Sequence, residues 1–120
     1  MGNQMSTKQV IVITPEHEVS VQQMPSTSPD EYNFLNTAVA GWIQAVPLAD
    51  DLEGITLWVN EEGKLDNLPY NPLATLLWEM SYGFTDVICG TAVLTGGTDD
   101  EGETLPLTDV QVAQILAVVK

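Results

Sequence analysis

Seventeen carboxylates dominate the reactive side chains of this 120-residue sequence, and ten of them fall in three short runs. Asp50, Asp51 and Glu53 form the first, Glu61, Glu62 and Asp66 the second, and Asp99, Asp100, Glu101 and Glu103 the third. Such groups can hold calcium, or work in pairs as acid and base. The Asp99–Glu103 run lacks the alternating ligands and the spaced final Glu of a calcium loop, so it reads as a solvated acidic loop. His17 stands in a proline turn between Glu16 and Glu18, and is read as an exposed turn residue. Cys89 sits in an apolar stretch with no cation near it in sequence, where a thiol acts as a small hydrophobe. With no Arg and one mid-chain Lys, no clamp for a phosphoryl or carboxylate substrate is evident. No catalytic residue, metal ligand or cofactor is assigned, and the chain is expected not to be an enzyme.

Against those carboxylates stand only Lys8, Lys64 and Lys120, for a net charge of −14. Binding to nucleic acid is excluded, because affinity for phosphate backbones comes from clustered Lys and Arg. The same shortage argues against anionic lipid, and no apolar run reaches the ~18 residues that span a bilayer. The N-terminal residues lack the charged and apolar regions of a signal peptide, so a cytoplasmic protein is expected. A lone Cys gives no intramolecular disulfide, which fits a reducing compartment. A hydrophobic fraction of 44% places the charge on a folded surface rather than a disordered chain.

The elements that would carry these residues alternate between strand and helix signals. Residues 1–7 are read as a disordered tail and 8–120 as one domain. Gln9–Ile13 is β-branched and suits a central strand; a Thr14–His17 turn joins it to the alternating Glu18–Gln22. Ser28-Pro29-Asp30-Glu31 is a capping box opening a helix whose Tyr32, Leu35 and Val39 face the core and which Gly41 ends in a left-handed conformation. Trp42–Val46 is a third strand, and Ile55–Val59 a fourth, closed by an Asn60–Gly63 hairpin turn in which Gly63 takes φ > 0. Asn71 caps a second helix with Leu73, Leu76, Leu77 and Met80 as its apolar stripe. Asp86–Thr95 reads as an interior strand, and Thr108 to Gln111 as a capping box for the last helix. The order β-β-α-β-β-α-β-α defines an α+β domain, a mixed sheet of about five strands with about three helices.

Three stretches carry a family likeness: Gly41–Leu48; Leu57–Leu65 with its Asn-Glu-Glu-Gly-Lys; and Asn71-Pro72-Leu73-Ala74-Thr75 followed by Asp86–Gly90. Together they resemble the domain-of-unknown-function family 3846, small proteins of bacteriophages, plasmids and their hosts. That resemblance covers most of the chain. It implies a cytosolic accessory protein carried by mobile DNA, and it implies no reaction and no catalytic residues.

Charge and resemblance together point to an acidic binding protein that engages a basic host protein, in its sharpest form a DNA mimic directed against host defence or serving host takeover. Asp50, Asp51, Glu53, Glu61, Glu62, Asp99, Asp100, Glu101 and Glu103 would steer association, with Tyr70 and Tyr82 supplying contact area. The alternative is an oligomer that sequesters a small ligand such as a defence nucleotide. It would hold phosphates at helix starts near Ser28, Asn71 and Thr108, with Lys64 as the cation.

Overall fold

A computed structural model describes residues 7–83 and 86–119, apart from the Ser28 side chain. The chain runs β1 (Thr7–Ile13), β2 (Val19–Pro25), α1 (Ser28–Val39), β3 (Ile43–Pro47), β4 (Ile55–Asn60), α2 (Pro72–Tyr82), β5 (Ala92–Gly96) and α3 (Asp109–Val119). A single 3-10 turn, Asp50–Leu52, sits between β3 and β4. The expected α+β architecture and element order are present. The sheet has the order β2-β1-β5-β4-β3, and every neighbouring pair is antiparallel where a mixed sheet was expected. Of the tail expected over residues 1–7, Thr7 already belongs to β1 and the rest lies outside the described residues.

The sheet is covered on both faces, which is why its central strands carry apolar residues at successive positions, as in Val10–Ile13 and Ala92–Leu94. Ile11, Ile13, Leu57, Ala92 and Leu94 pack on one face against Ala74 and Leu77 of α2 and Ile115 and Val119 of α3. Val10, Val12 and Val93 face the other way, against Leu35, Phe34 and Ala38 of α1. One strand therefore feeds two cores with alternate residues.

Local signals set the turns and helix starts, with several corrections. The β1–β2 hairpin closes through His17 N–H to the Thr14 carbonyl at 3.1 Å, with His17 left-handed at φ 70°. Thr27 rather than Ser28 stands at the N-cap position of α1, where its hydroxyl donates to the Asp30 carboxylate at 2.6 Å instead of capping a backbone N–H, and Glu31 does not complete a capping box but pairs with Lys8. Ala40, not Gly41, takes the left-handed position at its end, at φ 65°. Gly41 is needed for a different reason: a Cβ there would stand 2.7 Å from the Asn60 side-chain amide. Tyr32, expected in the core, is exposed, as are Leu76 and Met80 of α2. Of the expected stripe, Leu77 is buried and Leu73 packs against the core, and Ala74 and Thr75 complete the buried side of α2. The anticipated strand over Asp86–Thr95 starts only at Ala92. Gly90 has φ 94° and bonds the Pro69 carbonyl at 2.7 Å, so residues 86–91 follow the preceding loop rather than the sheet.

Candidate functional site

Two of the three acidic runs meet at one end of the sheet. Ile55, the first residue of β4, pairs with Gly96, the last of β5, so the loop before β4 and the loop after β5 emerge side by side. The Gly54 carbonyl lies 3.5 Å from where a Cβ on Gly97 would be, which puts the two backbones in contact. Asp50, Asp51, Glu53, Asp99, Asp100, Glu101 and Glu103 are all exposed there.

Each loop is anchored by apolar and backbone groups that leave its carboxylates outside. Leu52 is buried, while Leu52 N–H and Glu53 N–H close on the Ala49 and Asp50 carbonyls at 3.0 and 3.1 Å. The Ser81 hydroxyl accepts from Ala49 N–H at 3.0 Å and ties this turn to the end of α2. In the second loop, the Asp99 carboxylate accepts from the N–H groups of Glu101 and Glu103 at 2.8 and 3.0 Å, and Asp99 N–H donates to the Glu103 carbonyl at 3.0 Å. Asp99 thus organises the loop tip, and Asp100, Glu101 and Glu103 radiate from it. The return limb folds back onto β5, Gly96 N–H reaching the Leu105 carbonyl at 2.9 Å. A side chain at residue 96 would meet the Pro106 carbonyl at 2.5 Å. Leu107 N–H then donates to the Gln9 carbonyl at 2.9 Å, which clips the limb to β1.

The charge balance at this end is one-sided. Lys8 lies beneath the second loop, ion-paired to Glu31 and donating to the Thr104 carbonyl, with little of either charged side chain exposed. It offsets Glu31, and among the described residues no cation pairs with the outer carboxylates. Asp109, at the start of α3, accepts from the Gln9 side-chain amide at 3.3 Å and adds to the same end.

The second acidic run lies at the opposite end of β4, about 20 Å away at the ~3.3 Å rise of a strand residue. No hairpin forms here. The Asn-Glu-Glu-Gly-Lys segment instead fastens three parts of the fold together. The Asn60 side-chain amide donates to the Val39 and Ala40 carbonyls at 3.1 and 3.3 Å, closing the end of α1, and its oxygen accepts from Glu62 N–H at 2.7 Å. Gly63 does not have the positive φ expected of it; it is required because a Cβ would meet the Cys89 carbonyl at 2.5 Å. Lys64 donates to both carboxylate oxygens of Asp86, at 2.6 and 2.8 Å. That bond and the Val87 N–H hold the Asp86 carboxyl below the usual carboxylate range. Glu61, Glu62, Lys64, Trp78, Asp86 and Cys89 line a shallow cavity of about 320 Å³ here.

The tyrosines are separated. Tyr70 precedes α2 and bridges to Cys89, whereas Tyr82 closes α2, stacks edge-on with Trp78 and donates its hydroxyl to the Pro47 carbonyl. The residues of the small-ligand reading are largely engaged. Asn71 is wholly buried, accepting from Ala74 N–H at 3.1 Å and donating to the Ile13 and Gly90 carbonyls at 3.0 and 2.9 Å. Thr108 and Gln111 form the expected reciprocal capping box, at 2.9 and 3.0 Å. The described residues hold no group of three or more His, Cys, Asp or Glu that could hold a metal ion, and no helix long and apolar enough to cross a membrane.

A small α+β domain with a carboxylate-rich end is the class that fold and site define. The family model Domain of unknown function (DUF3846) matches residues 7–120, and the chain belongs to that family. No curated protein and no solved structure matches it.

Proposed function

We propose that the domain is a non-enzymatic binding protein that engages a basic macromolecular partner through its acidic end. One observation carries this reading: seven exposed carboxylates from two loops distant in sequence converge on one end of the sheet, while Lys8 and Lys64 are both spent on their own ion pairs. Such a field draws a cationic surface at long range and speeds encounter. The finer form of the proposal is that of a mobile-element protein acting in the host cytoplasm. Its acidic end would take the place of duplex DNA, which presents a charge per ~1.7 Å of axis, on a host DNA-binding protein.

The test is capture of basic host proteins on immobilised chain, compared with a variant carrying Asp51→Asn, Glu53→Gln, Asp100→Asn and Glu101→Gln. The expected partner binds the native chain, is released by salt and by added duplex DNA, and is not held by the variant. A partner held equally by the variant, or unaffected by salt, removes the acidic end from the function, because exposed charges are screened within ~8 Å at physiological ionic strength. A partner that salt and the variant both release but duplex DNA leaves bound retains the acidic end and rejects the DNA-mimic form.

A further inference from the structure

Both edges of this sheet are free of charge in a chain whose net charge is −14. Neither β2, Val-Ser-Val-Gln-Gln-Met-Pro, nor β3, Ile-Gln-Ala-Val-Pro, contains an Asp, Glu or Lys. Edge strands are commonly protected by charged side chains, since their outward N–H and C=O groups are a template for another strand. β3 is guarded by other means. It is short, Pro47 has no N–H to offer, and the Tyr82 hydroxyl occupies the Pro47 carbonyl. β2 is seven residues long, and only its final Pro25 is of that kind.

The phase of the ladder identifies which β2 groups look outward. Thr14 N–H donates to the Glu18 carbonyl at 2.9 Å, so residue 18 faces β1, and by antiparallel alternation Ser20, Gln22 and Met24 do as well. Val19, Val21 and Gln23 therefore turn their N–H and C=O groups away from the sheet. Gln9, which pairs with Gln23, agrees: its carbonyl accepts from Leu107, on the side away from β2. Among the described residues, nothing bonds the outward N–H and C=O groups of these three; the Gln23 side chain accepts from the Thr7 hydroxyl at 2.9 Å.

We propose that β2 is a homodimer interface, two copies pairing their β2 strands antiparallel about a twofold axis at Val21 to make one continuous sheet. In that register Val21 faces its own copy and Val19 faces Gln23 of the second copy. Each of the three outward residues then donates once and accepts once. On the other side of the strand Ser20 faces Gln22 of the second copy, so no like charges are opposed. The sign of the surface selects the second copy as occupant. A basic partner gains nothing from a strand without carboxylates and is drawn to the acidic end instead. Two copies repel through every acidic loop and approach at least cost along the edge that has none.

Sedimentation equilibrium of the full chain over a range of salt tests this. The expected mass rises from 13.0 kDa toward twice that value. Association strengthens as salt screens the repulsion, opposite to the response of a basic partner at the acidic end. Val21 is 44% exposed, so Val21→Lys and Val21→Glu leave the fold intact, as circular dichroism melts will show. Each alone places like charges face to face on the twofold and associates at least about tenfold more weakly, whereas their equimolar mixture recovers the dimer. A native chain that stays monomeric at every salt concentration overturns the proposal. So does a dimer that both variants leave unchanged, or a mixture that stays monomeric.

Discussion

His17 is a side chain held where side chains are uncomfortable. At φ 70° it is left-handed, a region in which the Cβ of most residues crowds the following carbonyl and which glycine enters freely. His17→Gly should therefore raise stability by about 0.5–1 kcal/mol, read as a shift in the denaturation midpoint, and His17→Val should lower it. Asp86 offers a different local test. Its carboxyl is held low chiefly by the hydrogen bond from Lys64, and next by that from Val87 N–H. Because its folded pKa is depressed, the pair's contribution is present above the ordinary carboxylate range and is lost as pH falls through the lowered value. In a carboxyl NMR titration Asp86 should protonate, on acidification, below the ordinary carboxylate range, and Lys64→Met should move it back toward that range. Identical titration of Asp86 in native and Lys64→Met chains would remove the ion pair from solution.

At the scale of elements, Asn71 shows what local sequence does and does not reveal. Its role as the cap of α2 is legible from the Pro that follows and the apolar residues beyond, because a cap is a contact three residues long. Its other bonds, to carbonyls of Ile13 and Gly90, join segments 58 and 19 residues away and leave no local trace. Asn71→Ala removes the cap and strands two buried carbonyls, so it should cost about 2–4 kcal/mol, against about 1 kcal/mol for Thr108→Ala, whose loss is confined to a surface cap. Comparable losses in urea melts would refute the bridging role. The same division explains the other outcomes. Strand and helix order follow from periodicity, and the apolar β1 announces a strand covered on both sides. The run from Asp86 to Gly90 has strand composition too, but Gly90 at φ 94° turns it toward Pro69. Likewise Gly63 and Gly41 look like positive-φ residues in sequence, while the steric demand on each comes from a distant group, Cys89 and Asn60. The acidic end was legible only as separate runs. Gly54 and Gly97 are neighbours because β4 and β5 pair across the whole of α2, a contact that no composition signal encodes.

For the whole molecule, a net charge of −14 on 120 residues opposes compaction, and the opposition is greatest where carboxylates are closest. The two acidic loops concentrate it at one end, with Lys8 facing inward to Glu31 rather than outward to relieve it. Within these loops the carboxylates divide by what they bond. Asp99 accepts two backbone N–H groups, so Asp99→Ala should lower the melting temperature by loosening the loop tip. Among the described residues no side-chain bond offsets the repulsion of Asp51, Glu53, Asp100 and Glu101, so the fourfold neutralised variant should melt higher, on the order of 2–5 °C, and show a weaker rise of melting temperature with salt. The sign of that change connects stability with function. If the charge served the fold, its removal would destabilise; if it served only solubility, its removal would leave partner capture untouched. A variant that is more stable, less salt-dependent and unable to hold the basic partner is the outcome expected of a surface kept acidic for binding at the expense of stability. A variant that melts lower than the native chain would instead place the four carboxylates among the groups that hold the domain together.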